Sequence, residues 1–160
     1  MRVLVVSDTH RKNDLYVQLC KKYAPLDMVI HCGDIEGSEY VINEAAGCPV
    51  KMVAGNNDFF ASTNKEEEFT LEGYKIWVTH GHNYYVSLGN EILKDEARSR
   101  GVDIVMYGHI HRPVVDYDNG VIAINPGSLT YPRQEGRKPT YIIMEIEKGK
   151  EPKIEVNYLP

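Results

Sequence analysis

The chain has 160 residues, 42% hydrophobic and 26% charged, with a net charge of -5. That length suits one domain spanning residues 1–160 with a real core. Lysine and arginine are scattered within an acidic balance, which argues against binding long nucleic acid but leaves room for a small phosphorylated substrate beside a bound cation.

Val3 to Val6 is a continuous β-branched and Leu run, the pattern of a strand covered on both faces. It ends in Asp8-Thr9-His10. A polar turn leads into a helix with Leu15, Leu19, Cys20 and Tyr23 at helical spacing, stopped by Pro25. Met28-Val29-Ile30 is the next strand and runs into Gly33-Asp34. Ser38 is read as the N-cap of a short helix burying Val41, Ile42 and Ala45, with Gly47 ending it. Val50 to Ala54 is a third strand, followed by Gly55-Asn56-Asn57-Asp58. This β-α-β-α-β order with short connections predicts a parallel sheet.

Ser62 to Glu68 is charged and reads as a loop. Phe69–Leu71 and Lys75–Thr79 flank Glu72-Gly73-Tyr74 and read as a hairpin ending in His80-Gly81-His82. Ser87 to Arg100 reads as a helix with Leu88, Ile92, Leu93 and Ala97 inward. Val102 to Tyr107 is a buried strand ending in Gly108-His109-Ile110-His111. The remainder is strand-rich: Val114–Tyr117, Val121–Asn125, Tyr141–Ile146 and Ile154–Tyr158. Alternating units followed by a meander suggest an α/β fold of two packed mixed sheets with helices outside.

Cys20, Cys32 and Cys48 form no CxxC and are read as core thiols. No apolar run approaches the length of a membrane span or a signal h-region, so a cytoplasmic protein is expected. Exposed tyrosines point weakly to a homodimer.

Cation-binding groups recur at strand ends. Asp8 and His10 follow the first strand, Asp34 the second, Asn56 the third, His80 the hairpin, and His109 and His111 the last strand of the α/β part. Ligands of open α/β sheets bind beyond the carboxyl ends of the strands. Carboxylates, imidazoles and one amide, without thiolate, suit Mn²⁺, Ni²⁺, Zn²⁺, Fe²⁺ or Co²⁺. Seven ligands suffice for two ions if one carboxylate bridges, and ions roughly 3.5–4 Å apart can clamp a phosphate for in-line attack.

In order, Asp8-Thr9-His10, Gly33-Asp34, Gly55-Asn56-Asn57-Asp58, His80-Gly81-His82 and Gly108-His109-Ile110-His111 resemble the calcineurin-like metallophosphoesterase superfamily. Asn125-Pro126-Gly127-Ser128 matches a turn of its small single-domain bacterial and archaeal phosphodiesterases. The resemblance implies a four-layer α/β/β/α sandwich. It implies that Asp8, His10, Asp34 and His111 hold one metal, that Asp34 bridges, and that Asn56, His80 and His109 complete the second. Mn²⁺ or Ni²⁺ are the ions expected first. A hydroxide held between them would hydrolyse a small phosphodiester.

Asp34, Asn57 and His82 are the residues assigned to catalysis. Many members of the superfamily place His where Asn57 stands here. An amide donates a hydrogen bond but is no general acid near neutral pH. Diesters are therefore favoured over monoesters with poor leaving groups, with His82 as another donor. His31 is read as structural, Asp58 as orienting a turn or a ligand histidine, Asn125-Pro126-Gly127-Ser128 as scaffolding, and Arg133 as an exposed loop residue. A subunit of the retromer coat has a similar fold but acts as a scaffold with an impaired site. Here all seven ligand positions are filled, which favours an enzyme. A phosphomonoesterase or cyclic-nucleotide hydrolase of the same fold is a further alternative.

Overall fold

Alternate residues of the first strand serve two different cores. In the computed structural model, which describes residues 1–59 and 61–160, Val3 and Val5 pack into one cluster while Leu4 and Val6 pack into another. A strand side chain points to opposite faces at each step, so a continuous apolar run is the signature of a strand covered on both sides.

The elements run β1 (Arg2–Val6), α1 (Asp14–Tyr23), β2 (Met28–His31), α2 (Glu39–Ala46), β3 (Val50–Met52), β4 (Glu66–Leu71), β5 (Tyr74–Thr79), α3 (Glu91–Ser99), β6 (Ile104–Met106), β7 (Pro113–Asp118), β8 (Val121–Pro126), β9 (Thr140–Glu145) and β10 (Lys153–Tyr158). Two mixed sheets form, in the orders β10-β9-β1-β2-β3 and β4-β5-β6-β8-β7. β1, β2 and β3 are parallel, as are β5, β6 and β8. The outer pairings are antiparallel.

The inner faces meet through Val3, Val5, Ile30, Val78, Met106, Ile124 and Ile142. α1 and α2 cover the first sheet through Tyr16, Leu19 and Ile42. α3 covers the second, where Leu93 and Ala97 pack with Trp77 and Val105. Burying each such side chain contributes on the order of 2 kcal/mol. The layers are therefore α/β/β/α. Among the described residues no helix is long and apolar enough to cross a membrane.

Several boundaries differ from the sequence expectation. Glu66–Glu68 belong to β4 rather than a loop, because Arg100 binds Glu66 at 2.9 Å and Glu68 at 3.3 Å and offsets their charge on an edge strand. The helix expected from Ser87 begins at Glu91. Val86–Leu88 is a single 3-10 turn, and Gly89 at φ 123° separates it from α3. Leu88 and Ile92 consequently face solvent, at 89% and 53% exposure. Lys94 is buried in their stead, its Nζ bound by Asp116 at 2.9 Å, Asp118 at 2.7 Å and Glu91 at 3.0 Å.

In α2 the buried pair is Ile42 and Ala46, while Val41 is exposed and Ser38 makes no side-chain cap. β3 stops at Met52, two residues before its predicted end. Cys20 and Cys32 are buried as expected, but Cys48 is only half-buried.

Candidate metal centre

The parallel strands of both sheets deliver their carboxyl ends to one edge of the sandwich. β1 leads to Asp8 and His10, β2 to Asp34, β3 to Asn56, β5 to His80, and β6 to His109 and His111. Backbone hydrogen bonds zip these turns together. Asp8 N–H donates to Gly33 O, His10 N–H to Asp34 O and Gly108 N–H to His80 O, each at 3.0 Å.

The backbone is strained there. Asp8, His10, Asp34, His109 and His111 have φ values of 54°, 46°, 60°, 73° and 56°. A left-handed non-glycine residue costs on the order of 1 kcal/mol, and such strain concentrates at functional sites. The glycines beside them leave space. A Cβ on Gly108 would lie 2.1 Å from Ser7 Oγ, and one on Gly55 would lie 2.2 Å from Asp34 Oδ1.

Five predicted site residues converge tightly. Asp8 Oδ1 lies 3.1 Å from His111 Nε2, 3.7 Å from His10 Nε2 and 3.8 Å from His80 Nε2. Asp34 Oδ2 lies 3.3 Å from His80 Nε2 and 3.8 Å from His10 Nε2. Asp8, His10 and His111 form one group able to hold an ion, and Asp8, Asp34 and His80 a second. Asn56 Oδ1 meets His109 Nδ1 at 3.0 Å, and the His109 ring centroid is 5.2 Å from that of His80.

Surrounding groups fix which imidazole nitrogen faces inward. His80 Nδ1–H donates to Cys32 O at 2.7 Å, and His111 Nδ1–H donates to Tyr131 O at 2.8 Å. His10 Nδ1 faces Glu36 Oε2 at 3.4 Å. Each Nε2 is thereby turned toward the carboxylates, the usual arrangement for metal-ligating histidines.

Asp8 Oδ1 and His80 Nε2 are buried without a hydrogen-bond partner among the described residues. Orphaned buried polar atoms are costly, and a cation between them would satisfy both. The donor set and its geometry fit divalent transition metals.

Electrostatics agree. Burial alone would raise the Asp8 carboxyl, but His80, His10 and His111 hold it well below the ordinary range. Burial opposes a charge on His80, yet Asp8 and Asp34 push it up to about 9. His10 is raised against its burial by Asp8, Asp34 and Glu36. A field that attracts protons to His80 and His10 also attracts metal cations.

Asp58 organises the neighbouring turns. Its carboxylate accepts backbone N–H groups from Asp34 at 2.9 Å, Ile35 at 3.1 Å, Glu36 at 2.6 Å and Gly55 at 2.7 Å. Asn57 turns inward too. Its N–H donates to Asp34 Oδ1 and its Nδ2 to Asp34 Oδ2, both at 2.9 Å. His82 is half-buried, with its ring centroid 5.5 Å from His80 and 6.1 Å from His109. Burial and the charge of His80 lower its pKa.

Residues 1–149 match the calcineurin-like phosphoesterase superfamily domain. The chain belongs to that superfamily. It is 34% identical over 152 residues to the probable metallophosphoesterase of Mycoplasma pneumoniae, covering 93% of this chain and 92% of that one. It is 29% identical over 145 residues to phosphodiesterase MJ0936 of Methanocaldococcus jannaschii, covering 79% and 83%. The predicted phosphoesterase of Streptococcus pneumoniae superposes with a TM-score of 0.85 at 28% identity, over 98% of this chain and 88% of that one. Vps29 of Entamoeba histolytica complexed with Zn²⁺ gives a TM-score of 0.79 at 23% identity over 99% of each chain, which shows a shared fold.

Other members of the superfamily site were not singled out from sequence. Ser7 Oγ donates to Asp8 Oδ2 at 2.6 Å, and His109 N–H donates to the same oxygen at 3.0 Å. Only the free oxygen, Oδ1, then faces the histidines. The position of Ser7 beside Asp8, and of Glu36 two residues after Asp34, was the available signal. The carbonyl of Tyr131 carries none, since any residue supplies one.

The expected scaffolding roles hold. Asn125 Nδ2 donates to Gly108 O at 3.0 Å, and Ser128 Oγ to Asp8 O at 2.8 Å. His31 accepts Gly33 N–H at Nδ1 and donates from Nε2 to Thr9 Oγ1 at 3.0 Å, and burial pushes its pKa down to about 4. It is a neutral brace between two ligand turns.

Proposed function

We propose that this metallophosphoesterase is a phosphodiesterase that works with two divalent metal ions. The observation that carries it is the pair of buried, unpartnered atoms, Asp8 Oδ1 and His80 Nε2, within a cage of two carboxylates and three imidazoles.

Asp8, His10, Asp34 and His111 would hold one ion, and Asp34, Asn56, His80 and His109 the other. Asp34 Oδ2 faces both His10 and His80, which suits the bridging role. When bound, such a pair supplies Lewis-acid charge to the phosphoryl oxygens and acidifies a water. The chain supplies geometry. Asn57 clamps both oxygens of Asp34, so its amide is engaged on a ligand. His82 stands beside His80 and His109, a position from which its ring could donate to a phosphoryl or leaving oxygen. Diesters whose leaving group needs little protonation suit a site with an amide at position 57. If Asn57→His left the ratio of diester to monoester activity unchanged, the diester preference would have another origin.

Mn²⁺ and Ni²⁺ are the first ions to test, with Zn²⁺, Fe²⁺ and Co²⁺ next. The decisive experiment strips the protein with chelator and reloads it with each ion. Bis(p-nitrophenyl) phosphate and p-nitrophenyl phosphate are then the paired substrates. Faster hydrolysis of the diester with Mn²⁺ or Ni²⁺ is expected. No hydrolysis with any ion would overturn the proposal in favour of a scaffold.

A further inference from the structure

A cationic cavity adjoins the site. His10, His111, Tyr131, Pro132, Arg133 and Arg137 line a cavity of about 580 Å³. Among the described residues the guanidinium groups of Arg11, Arg98 and Arg100 have oxygen partners, while those of Arg2 and Arg112 have none and line no cavity beside the cage. The guanidinium groups of Arg133 and Arg137 take part in no hydrogen bond or ion pair among the described residues, and both side chains are exposed. Lys12 Nζ adds a third cation, 4.8 Å over the Tyr131 ring.

The position of these arginines relative to the cage is fixed. Tyr131 O accepts His111 Nδ1–H at 2.8 Å, and Arg133 N–H donates to His111 O at 2.9 Å. Thr130 Oγ1 donates to Thr9 O at 2.8 Å, tying the same segment to the turn after β1. Beyond Arg133 the chain doubles back. Arg137 N–H donates to Gln134 O at 3.0 Å, and Gly136 and Arg137 have φ values of 81° and 44°. Both guanidinium groups therefore serve one cavity that shares two walls with the cage.

A second cavity beside the site differs in charge. Its volume is about 620 Å³, it is lined by Glu36, Glu39 and Asp58, and its one arginine, Arg11, donates from Nε to Glu36 O. An anionic group would meet carboxylates there. In a chain of net charge -5, two unpaired arginines and a lysine at the first cavity are a local departure.

We infer that Arg133 and Arg137 form a subsite for a second phosphate, carried on one arm of the substrate. The substrate class is then a phosphodiester with an additional terminal phosphate, such as a dinucleotide that carries a 5′-phosphate, and a nucleoside bisphosphate mimics its two anionic groups for binding. The inference rests on the phosphodiesterase proposal for the phosphate that reacts. Guanidinium forks match phosphate oxygens bidentately, and an uncharged arm would leave both arginines without a role.

The test measures equilibrium binding to Mn²⁺-loaded protein, comparing thymidine 3′,5′-bisphosphate with thymidine 5′-phosphate. The bisphosphate should bind about tenfold more tightly, and the preference should shrink as salt rises. In Arg133→Gln/Arg137→Gln the two ligands should bind within about twofold of each other, and Arg133→Gln alone should fall between. Equal affinities in the unaltered protein, or a preference that survives the double substitution, would overturn the subsite. Binding is read without turnover. Failure of the metal-reloading assay therefore counts against the phosphodiesterase alone, and hydrolysis without a binding preference counts against the subsite alone.

Discussion

Asp58 holds Asp34 from behind. Its Oδ2 accepts the Asp34 N–H at 2.9 Å while also accepting that of Gly55 at 2.7 Å, so one carboxylate joins the turn after β2 to the turn after β3. Asp58→Asn should lose this grip, because an amide nitrogen would face backbone donors. Metal affinity should fall about 10- to 100-fold, as for other groups that orient ligands. Calorimetric titration with Mn²⁺ checks it, and an unchanged affinity would remove Asp58 from the metal centre.

Gly108→Ala tests the packing of the centre rather than its charge. The new methyl would meet Ser7 Oγ at 2.1 Å and Asp8 Oδ2 at 2.6 Å. Asp8 must move, and the aim of Oδ1 goes with it. Metal-dependent hydrolysis should drop at least about 100-fold, since a displacement near 1 Å has that effect on a reacting centre. Circular dichroism should show the fold retained. Full activity in this variant would mean that the observed approach of Gly108 to Asp8 is not needed.

Acidity should oppose the metal. With no ion bound, Asp8 and Asp34 overcome burial and raise His80 to about 9. A raised histidine stabilises the metal-free fold below its unfolded value near 6.5, and that contribution is lost as pH rises through about 9. An incoming ion must displace this proton. Apparent affinity should therefore climb with pH across this window, by up to about tenfold per unit for one proton released. Titrations at pH 6.5, 7.5 and 8.5 would show it. A flat profile would mean that His80 binds no proton in the metal-free protein.

Lys94 offers a test remote from the metal. Its buried ammonium joins α3 to β7 through Asp116 and Asp118. The two carboxylates are about one-third exposed, at 33% and 31%, so water screens part of the interaction. Lys94→Ala should still lower the thermal midpoint by roughly 5 °C, through lost packing as well as lost charge. Mn²⁺ affinity should stay within about twofold of the unaltered protein. A midpoint that does not move would assign the network no net role in stability.

The strand ends were readable because each carries two coincident signals. Val3–Val6 and Ile104–Met106 are apolar on every residue, and a ligand group follows within a few positions. Periodicity was less reliable where charge decides packing. Glu66 and Glu68 enter β4 only because Arg100 lies across it, and Lys94 enters the core only because three carboxylates surround it. Apart from Glu91, three residues before Lys94, these partners are far away in sequence. The supports of the site were hidden for the same reason. Ser128 reaches Asp8 across 120 positions, and Tyr131 acts through its backbone.

Four of the seven proposed ligands, Asp8, His10, Asp34 and Asn56, follow strands of the first sheet, while His80, His109 and His111 follow strands of the second. The ions would thus rivet two plates that otherwise meet through apolar contacts and a few hydrogen bonds at this edge, such as His80 Nδ1–H to Cys32 O. A core substitution that slides one plate by a few tenths of an ångström, such as enlarging Val5 or Met106, would be felt first as weaker metal binding. Affinity for Mn²⁺ becomes a caliper for the gap between the sheets, sensitive to changes far from any ligand.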